Sequence, residues 1–358
     1  MEPRVNGRVI AGLGAARAGC LLMMATLLIA AIPGGAAAAP VPNYHLLKKV
    51  VLGGEGTWDY LICDSAARRI YISRSSHVMV VDADTYAVVG DIPGTDGVHG
   101  IALAPEFGRG FTSNGRSNTV TIFDLKTLKP LGTAPTGNGP DAIIYDPASK
   151  RVFTFNGHGG DATAIDAATG KVAGTVPIGG KPEFAVADGH GHIYNNVEDK
   201  SELVQIDSSK LTVTARWPLA PGEEPSGLAL DIKHRRLFAG CHNKMMAVVD
   251  ADSGKVLATP AIGDGVDANA FDPETQLAFS SNGDGTLTVV HEDSPAKFTE
   301  VAGVPTQRGA RTMALDAKTH NIFLVTAEFG PPPPATPDRP HPRPAPLPGT
   351  FTLLVFGR

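Results

Sequence analysis

Cysteine is scarce, with only Cys20, Cys63 and Cys241 in 358 residues, so the fold is not a disulfide scaffold. No Cys-x-x-Cys-His occurs, which excludes covalent haem attachment. The longest apolar run, Cys20 to Ile32, falls short of the roughly 20 residues that a membrane-spanning helix requires. No segment sustains a 3.6-residue apolar period long enough for a helix, which removes bundles and helical solenoids. Ser226 has no nucleophile-elbow context around it. Gly157-His158-Gly159-Gly160-Asp161 superficially resembles a phosphate loop, but it joins two strand-like runs and opens no helix.

What the chain does contain is glycine (41), proline (29) and a distinctive N-terminus. Arg4, Arg8 and Arg17 precede the apolar run, and Ala36-Ala37-Ala38 offers small residues for cleavage, so residues 1–38 read as a secretory signal. Cys20 follows Arg17-Ala18-Gly19 and precedes the apolar run, the wrong context for lipid attachment. Export predicts a periplasmic or secreted protein without a membrane span after signal removal. The remaining 28 basic and 35 acidic residues leave a net charge of −7. With aromatics at 6%, that charge runs against a basic, stacking groove for nucleic acid.

Beyond residue 38 the chain is an imperfect repeat of roughly 42 residues. One unit runs Pro140 to Pro147, Arg151 to Asn156, Ala164 to Val172 and Gly174 to Gly179: four short strands, a to d, punctuated by turn residues. Anchors at the end of strand a fall at Asp64, Ala104, Asp146, Asp188, Asp231, Asp272 and Asp316. Seven anchors predict an all-β, seven-bladed β-propeller of four-stranded antiparallel blades, a single domain over 39–358. The seventh unit lacks one strand, while His45 to Leu52 forms an orphan strand before the first unit. The N-terminal strand is therefore expected to complete the last blade, closing the ring without a free edge. Cys63 and Cys241 fall in blades 1 and 5, too far apart to bond.

The aligned units carry Phe111-Thr112-Ser113-Asn114, Phe153-Thr154-Phe155-Asn156 and Phe279-Ser280-Ser281-Asn282 in strand b. The turn after strand c reads Val81-Asp82-Ala83-Asp84-Thr85 and Val249-Asp250-Ala251-Asp252-Ser253. With these motifs, residues 45–358 resemble the YVTN-repeat, YncE-like bacterial seven-bladed propellers. The resemblance implies the fold and leaves the activity open, because similar propellers include binding proteins, lactonases, lyases and cofactor enzymes. It also raises single-stranded DNA binding, against which the charge argues. Two Trp in total speak against the tryptophan-docked blades of quinoprotein dehydrogenases.

Five positions before each anchor stand Asp59, His99, Asp141, Glu183, Ser226, Asp267 and Arg311, polar in all seven blades. Strand a is innermost, so these residues should ring one mouth of the central channel. Asp59, His99, Asp141, Glu183 and Asp267 are candidate ligands for a divalent metal ion, the one cofactor the ring suggests. His99, Asp141, Glu183, Asp267 and Arg311 are candidates for acid/base and oxyanion-holding roles. The same residues would also suit a solvated mouth facing water. By contrast, Asp82, Asp124, Asp166, Asp207 and Asp250 recur because each starts an Asx turn. The b–c loop of blade 7 is lengthened by a proline-rich insertion, Gly330 to Gly349, with Arg339, His341 and Arg343; a lid, a docking arm and a disordered insertion all fit its composition.

Two functions follow as expectations. One is a monomeric exported binding protein that presents the polar mouth to a small ligand, a metal or an envelope protein partner. The other is a metal-assisted hydrolase or lyase acting on a lactone or similar ester. Whether the chain is an enzyme stays open at this point.

Overall fold

The architecture follows from alternation: each blade's strands carry apolar residues on both faces, so every blade must be covered twice. In the computed structural model, which describes residues 43–335 and 344–358, this is met by a closed ring of seven blades. The stretch expected to be a signal, residues 1–38, and Arg339, His341 and Arg343 lie outside the described residues. Five sheets have four strands, and a sixth has seven because Val88–Ala104 serves both as the outer strand of blade 1 and the inner strand of blade 2. All pairings between neighbouring strands are antiparallel, as in a chain that folds back on itself at each turn. The only helical segments among the described residues are the single turns Pro105–Phe107 and Glu198–Lys200.

Closure occurs as the repeat predicted. The last blade runs Met313–Asp316, Asn321–Thr326 and Thr352–Gly357, and His45–Val51 adds its outer strand antiparallel to Thr352–Gly357. Just before that strand, Tyr44 is buried, donates its hydroxyl to the His320 carbonyl at 2.8 Å and packs edge-on against Phe279.

Seven apolar clusters fill the seams between consecutive blades, including the seam from blade 7 to blade 1. The scarce aromatics are spent here. Two residues into strand b stand Tyr71, Phe111, Phe153, Tyr194, Phe238, Phe279 and Phe323, one per blade and all essentially inaccessible. Each is worth roughly 2–3 kcal/mol of burial. Charged residues add cross-seam links near the ends of strand a. Arg68 of blade 1 meets Asp316 of blade 7 at 2.7 Å, Arg235 meets Asp188 of the preceding blade at 2.9 Å, and His320 meets Asp272 at 2.8 Å.

The recurring aspartates at the end of strand c are turn builders, as expected. Asp124 Oδ1 accepts the Lys126 and Thr127 amides at 3.1 and 2.7 Å, and the same pattern holds Asp82, Asp166, Asp207 and Asp250 below the usual carboxylate range. Cys63 and Cys241 are both free thiols.

Candidate functional site at the channel mouth

The strand-b motif explains how the ring is held. Ser113 of blade 2 donates to the Asp141 carbonyl of blade 3, Asn196 of blade 4 to the Ser226 carbonyl of blade 5 at 2.9 Å, and Ser281 of blade 6 to the Arg311 carbonyl of blade 7. Ser73 accepts the Asp59 amide at 3.0 Å, and Asn195 donates to the Glu183 carbonyl at 2.8 Å. The asparagine that ends the motif ties down the b–c turn: Asn114 Nδ2 reaches Thr119 and Thr121 at 3.1 and 2.9 Å. A short polar run in strand b therefore fixes the backbone from which five of the seven ring side chains project.

Six of the seven predicted residues, Asp59, Asp141, Glu183, Ser226, Asp267 and Arg311, line one cavity of about 220 Å³. His99 stands outside that wall and acts on it: its Nδ1 lies 2.6 Å from Asp59 Oδ2 and 3.5 Å from Asp141 Oδ1. The ring is glycine-spaced around this imidazole, since a Cβ on Gly115 would sit 2.7 Å from His99 Nε2. Burial works against protonation of His99, but the hydrogen bond to Asp59 and the charge of Asp141 outweigh it and raise its pKa. Asp59→Asn removes the strongest of these supports. The His99 pKa is then expected to fall, read by NMR titration of the imidazole; an unchanged value would show that Asp59 does not govern it.

Three charge groups divide the ring. Asp59, His99 and Asp141 bring one potential ligand atom each to within 4.8 Å of one another. Glu183 shares Lys181 with Glu198, the Lys181 ammonium standing 2.8 Å from Glu183 and in contact with Glu198. Arg311 lies 3.3 Å from Asp267. Of the predicted metal ligands, Asp59, His99 and Asp141 thus come together, while Glu183 and Asp267 face cations of their own.

Burial and the neighbouring Asp59 charge push Asp141 up to about 6, against the pull of His99. Burial and the Asp141 charge push Glu183 up to about 8, Lys181 opposing. Burial also works against the Lys181 ammonium, but its bonds to Glu183 and Glu198 prevail and raise it. The cup therefore holds more carboxylate than its cations neutralise.

The sequence reading missed the floor. Tyr60 and Phe184, from blades 1 and 4, stand with ring centroids 4.6 Å apart across the channel, and both line the cavity. The position after each ring residue is otherwise Gly100, Ala142, Gly227, Ala268 or Thr312, so two aromatics among small residues carry the signal. Burial pushes the Tyr60 phenol well above its ordinary pKa, with the surrounding carboxylates adding to the shift, so it stays neutral. Lys181, two residues before Glu183, was also missed. The ends of the blade 7 insertion pair with each other, Gly330 N donating to the Ala345 carbonyl at 3.0 Å and Leu347 N to that of Glu328 at 2.7 Å. Phe329 at its base lies 6.1 Å from Trp58, the residue before Asp59 of the ring.

No known protein family matches the chain, and no curated protein is similar to it at a significant level. Solved structures do share the architecture. The chain is similar to the hydrazine synthase of Kuenenia stuttgartiensis (TM-score 0.65, 14% identity, 82% of this chain and 95% of that one). It is similar to a chain of the mitotic checkpoint complex (TM-score 0.71, 14% identity, 99% of both) and to U3-55K (TM-score 0.68, 9% identity, 87% and 98%). The protein is a β-propeller. Likeness at this identity establishes the propeller fold, a repeat scaffold that hosts many functions, and leaves the ligand to the site itself.

Proposed function

We propose that this chain is an exported propeller binding protein whose acidic cup takes a small cationic ligand, an organic ammonium in particular. The observation that carries this reading is the convergence of Asp59, Asp141, Glu183, Glu198 and Asp267 over the Tyr60–Phe184 floor. Carboxylates supply charge and hydrogen-bond acceptors, and an aromatic face supplies the cation–π surface that an ammonium group favours. A cavity of about 220 Å³ suits a small molecule rather than a polymer. Raised carboxylate pKa values mark groups whose ionised form gains from an incoming positive charge. Export rests on the N-terminal signal pattern; an envelope protein presenting a basic side chain would meet the same chemistry.

Thermal-shift and calorimetric titration of the mature protein with diamines, polyamines and quaternary ammonium compounds should show stabilisation that dicarboxylates do not give. Asp141→Asn and Asp267→Asn should each abolish it. Equal responses to cations and anions, or unaltered binding by both variants, would remove the reading.

A metal-assisted hydrolase or lyase is the second reading, favoured by the grouping of Asp59, His99 and Asp141 within ligand range. Those residues would hold a divalent ion, which lowers the pKa of bound water, and Arg311 would receive an anionic substrate. Metal-dependent turnover of lactones that His99→Ala eliminates is its signature.

A further inference from the structure

The seam between blades 5 and 6 departs from the other charged seams. In blades 4, 6 and 7, the aspartate ending strand a meets a cation from the next blade: Asp188 with Arg235, Asp272 with His320 and Asp316 with Arg68. For Asp231, the corresponding next-blade residue is the uncharged Gln276, whose amide is turned to the Pro273 carbonyl at 2.7 Å. No cation from the next blade meets it; blade 6 adds a second carboxylate, Glu292.

Glu292 occupies a repeat position that is elsewhere small or apolar. Its amide donates to the Gln276 carbonyl at 2.9 Å. The equivalent bond is made by Ala83 to Arg68, Leu125 to Gly108, Ala167 to Lys150, Ser208 to Gly191 and Ala251 to Arg235. Where five blades place alanine, serine or leucine, blade 6 therefore places a carboxylate, and its side chain has 0% exposure.

Its neighbours are Asp231, 1% exposed, and His234 in the turn that follows. His234 Nδ1 lies 2.8 Å from Asp231 Oδ2 and 3.0 Å from Glu292 Oε1. Those approaches lack hydrogen-bond geometry, and among the described residues no group meets that geometry with either Glu292 oxygen or with His234 Nδ1. Asp231 itself is anchored, accepting the Lys233 amide at 2.9 Å and the His234 amide at 3.2 Å. The nearby Arg236 is engaged elsewhere, by Asp250 at 2.7 Å and the Pro295 carbonyl at 2.7 Å.

Two buried carboxylates and one imidazole thus share a space where the three paired seams each set one buried acid against their cation, the second acid there, Asp84, Asp252 or Glu274, being exposed. An unbalanced buried charge is strongly unfavourable unless something neutralises it. The ligand atoms lie within 4.8 Å of one another, and the 2.8 and 3.0 Å separations approach the edge lengths of a polyhedron built on metal–ligand bonds of about 2.0–2.2 Å. One ring nitrogen with two carboxylate oxygens suits a first-row divalent ion, zinc foremost.

We propose that Asp231, His234 and Glu292 form a divalent-cation site joining blades 5 and 6 at the end of the ring opposite the cup. Strand a of blade 5, Pro225–Asp231, starts at the cup with Ser226 and ends at this cluster, so the two sites lie at opposite ends of one strand. The partly exposed His234 provides the path for the ion, and the bound ion supplies the positive charge that the seam lacks.

The test is metal analysis and zinc titration of chelator-stripped mature protein, with the thermal midpoint followed alongside. Wild type should take up zinc and melt higher with it. Glu292→Ala and the isosteric Glu292→Gln should each lose one equivalent and that rise in midpoint. Glu300→Gln, at an exposed position of the same blade and outside both clusters, should keep both. Glu292→Gln guards against a merely misfolded alanine variant, because its near-ultraviolet circular dichroism reports native packing. Identical zinc stoichiometry and midpoint response in wild type and a natively packed Glu292→Gln overturns the site. So does absence of uptake by wild type, in which case a retained proton balances the cluster.

Discussion

Deleting residues 43–51 from a chain of residues 39–358 is expected to abolish its cooperative native transition, and Tyr44→Ala alone to cost about 3–5 kcal/mol in urea denaturation. The strand His45–Val51 carries little buried side-chain surface, so its value is not apolar area. It completes the hydrogen-bond ladder along Thr352–Gly357, and without it that strand becomes an open edge. Tyr44 adds what the strand lacks: a buried ring against Phe279 and a hydroxyl bond to the His320 carbonyl. A ring of blades gains its stability from every seam being filled, so one open blade exposes strands that can pair between molecules. A truncated protein with an unchanged urea midpoint would show that the seventh blade closes by other means.

The ring and the splice were legible in the sequence because both are departures from a repeat. Seven anchors set the blade count, and the orphan strand at 45–52 matched the gap in the last unit to within one residue. The ring register was legible because a polar residue at the start of strand a stands against the apolar positions that follow. His99 was legible as a ring member, but its place was not: an imidazole long enough to reach Asp59 turns along the wall instead of into the cavity. Tyr60 and Phe184 were missed because a single repeat shows only a hydrophobic residue in an apolar strand. Their meaning appears when blades 1 and 4 face each other across the axis. Lys181 lies before strand a and follows no register at all. Glu292 was hidden by the longer c–d hairpin of blade 6, where His291 rather than an aspartate pairs across the strand-b start at Leu277. Contacts between sequentially distant blades are the part of the site that periodicity does not carry.

Raising the pH from 5 to 9 should lower the stability of the ligand-free protein by roughly 2–4 kcal/mol, and Glu183→Gln should remove much of that slope. Glu183 titrates near 4.5 when unfolded and at about 8 when folded, and Asp141 rises from 3.8 to about 6. Through this window the folded state binds more protons than the unfolded chain, so stability falls as pH rises and the loss is complete above about 8. His99 acts in the same direction, because a raised imidazole pKa contributes stability below 6.5 that is lost as pH passes the folded value. At the acid end the order reverses: Asp188 and Asp316, held low by turn amides and arginines, stabilise the fold only while ionised. The maximum should therefore fall near pH 5. In Glu183→Gln, Lys181 keeps Glu198 as its partner, so the variant loses the buried acid without orphaning the ammonium. Thermal melts across pH in both proteins measure the effect, and coincident profiles would rule out Glu183 as its source. A bound ammonium ligand should flatten the wild-type profile as Glu183→Gln does, because it supplies the charge that the ionised cup lacks. Its affinity should then rise between pH 6 and 9 with release of a proton, which calorimetry in buffers of different ionisation enthalpy will count.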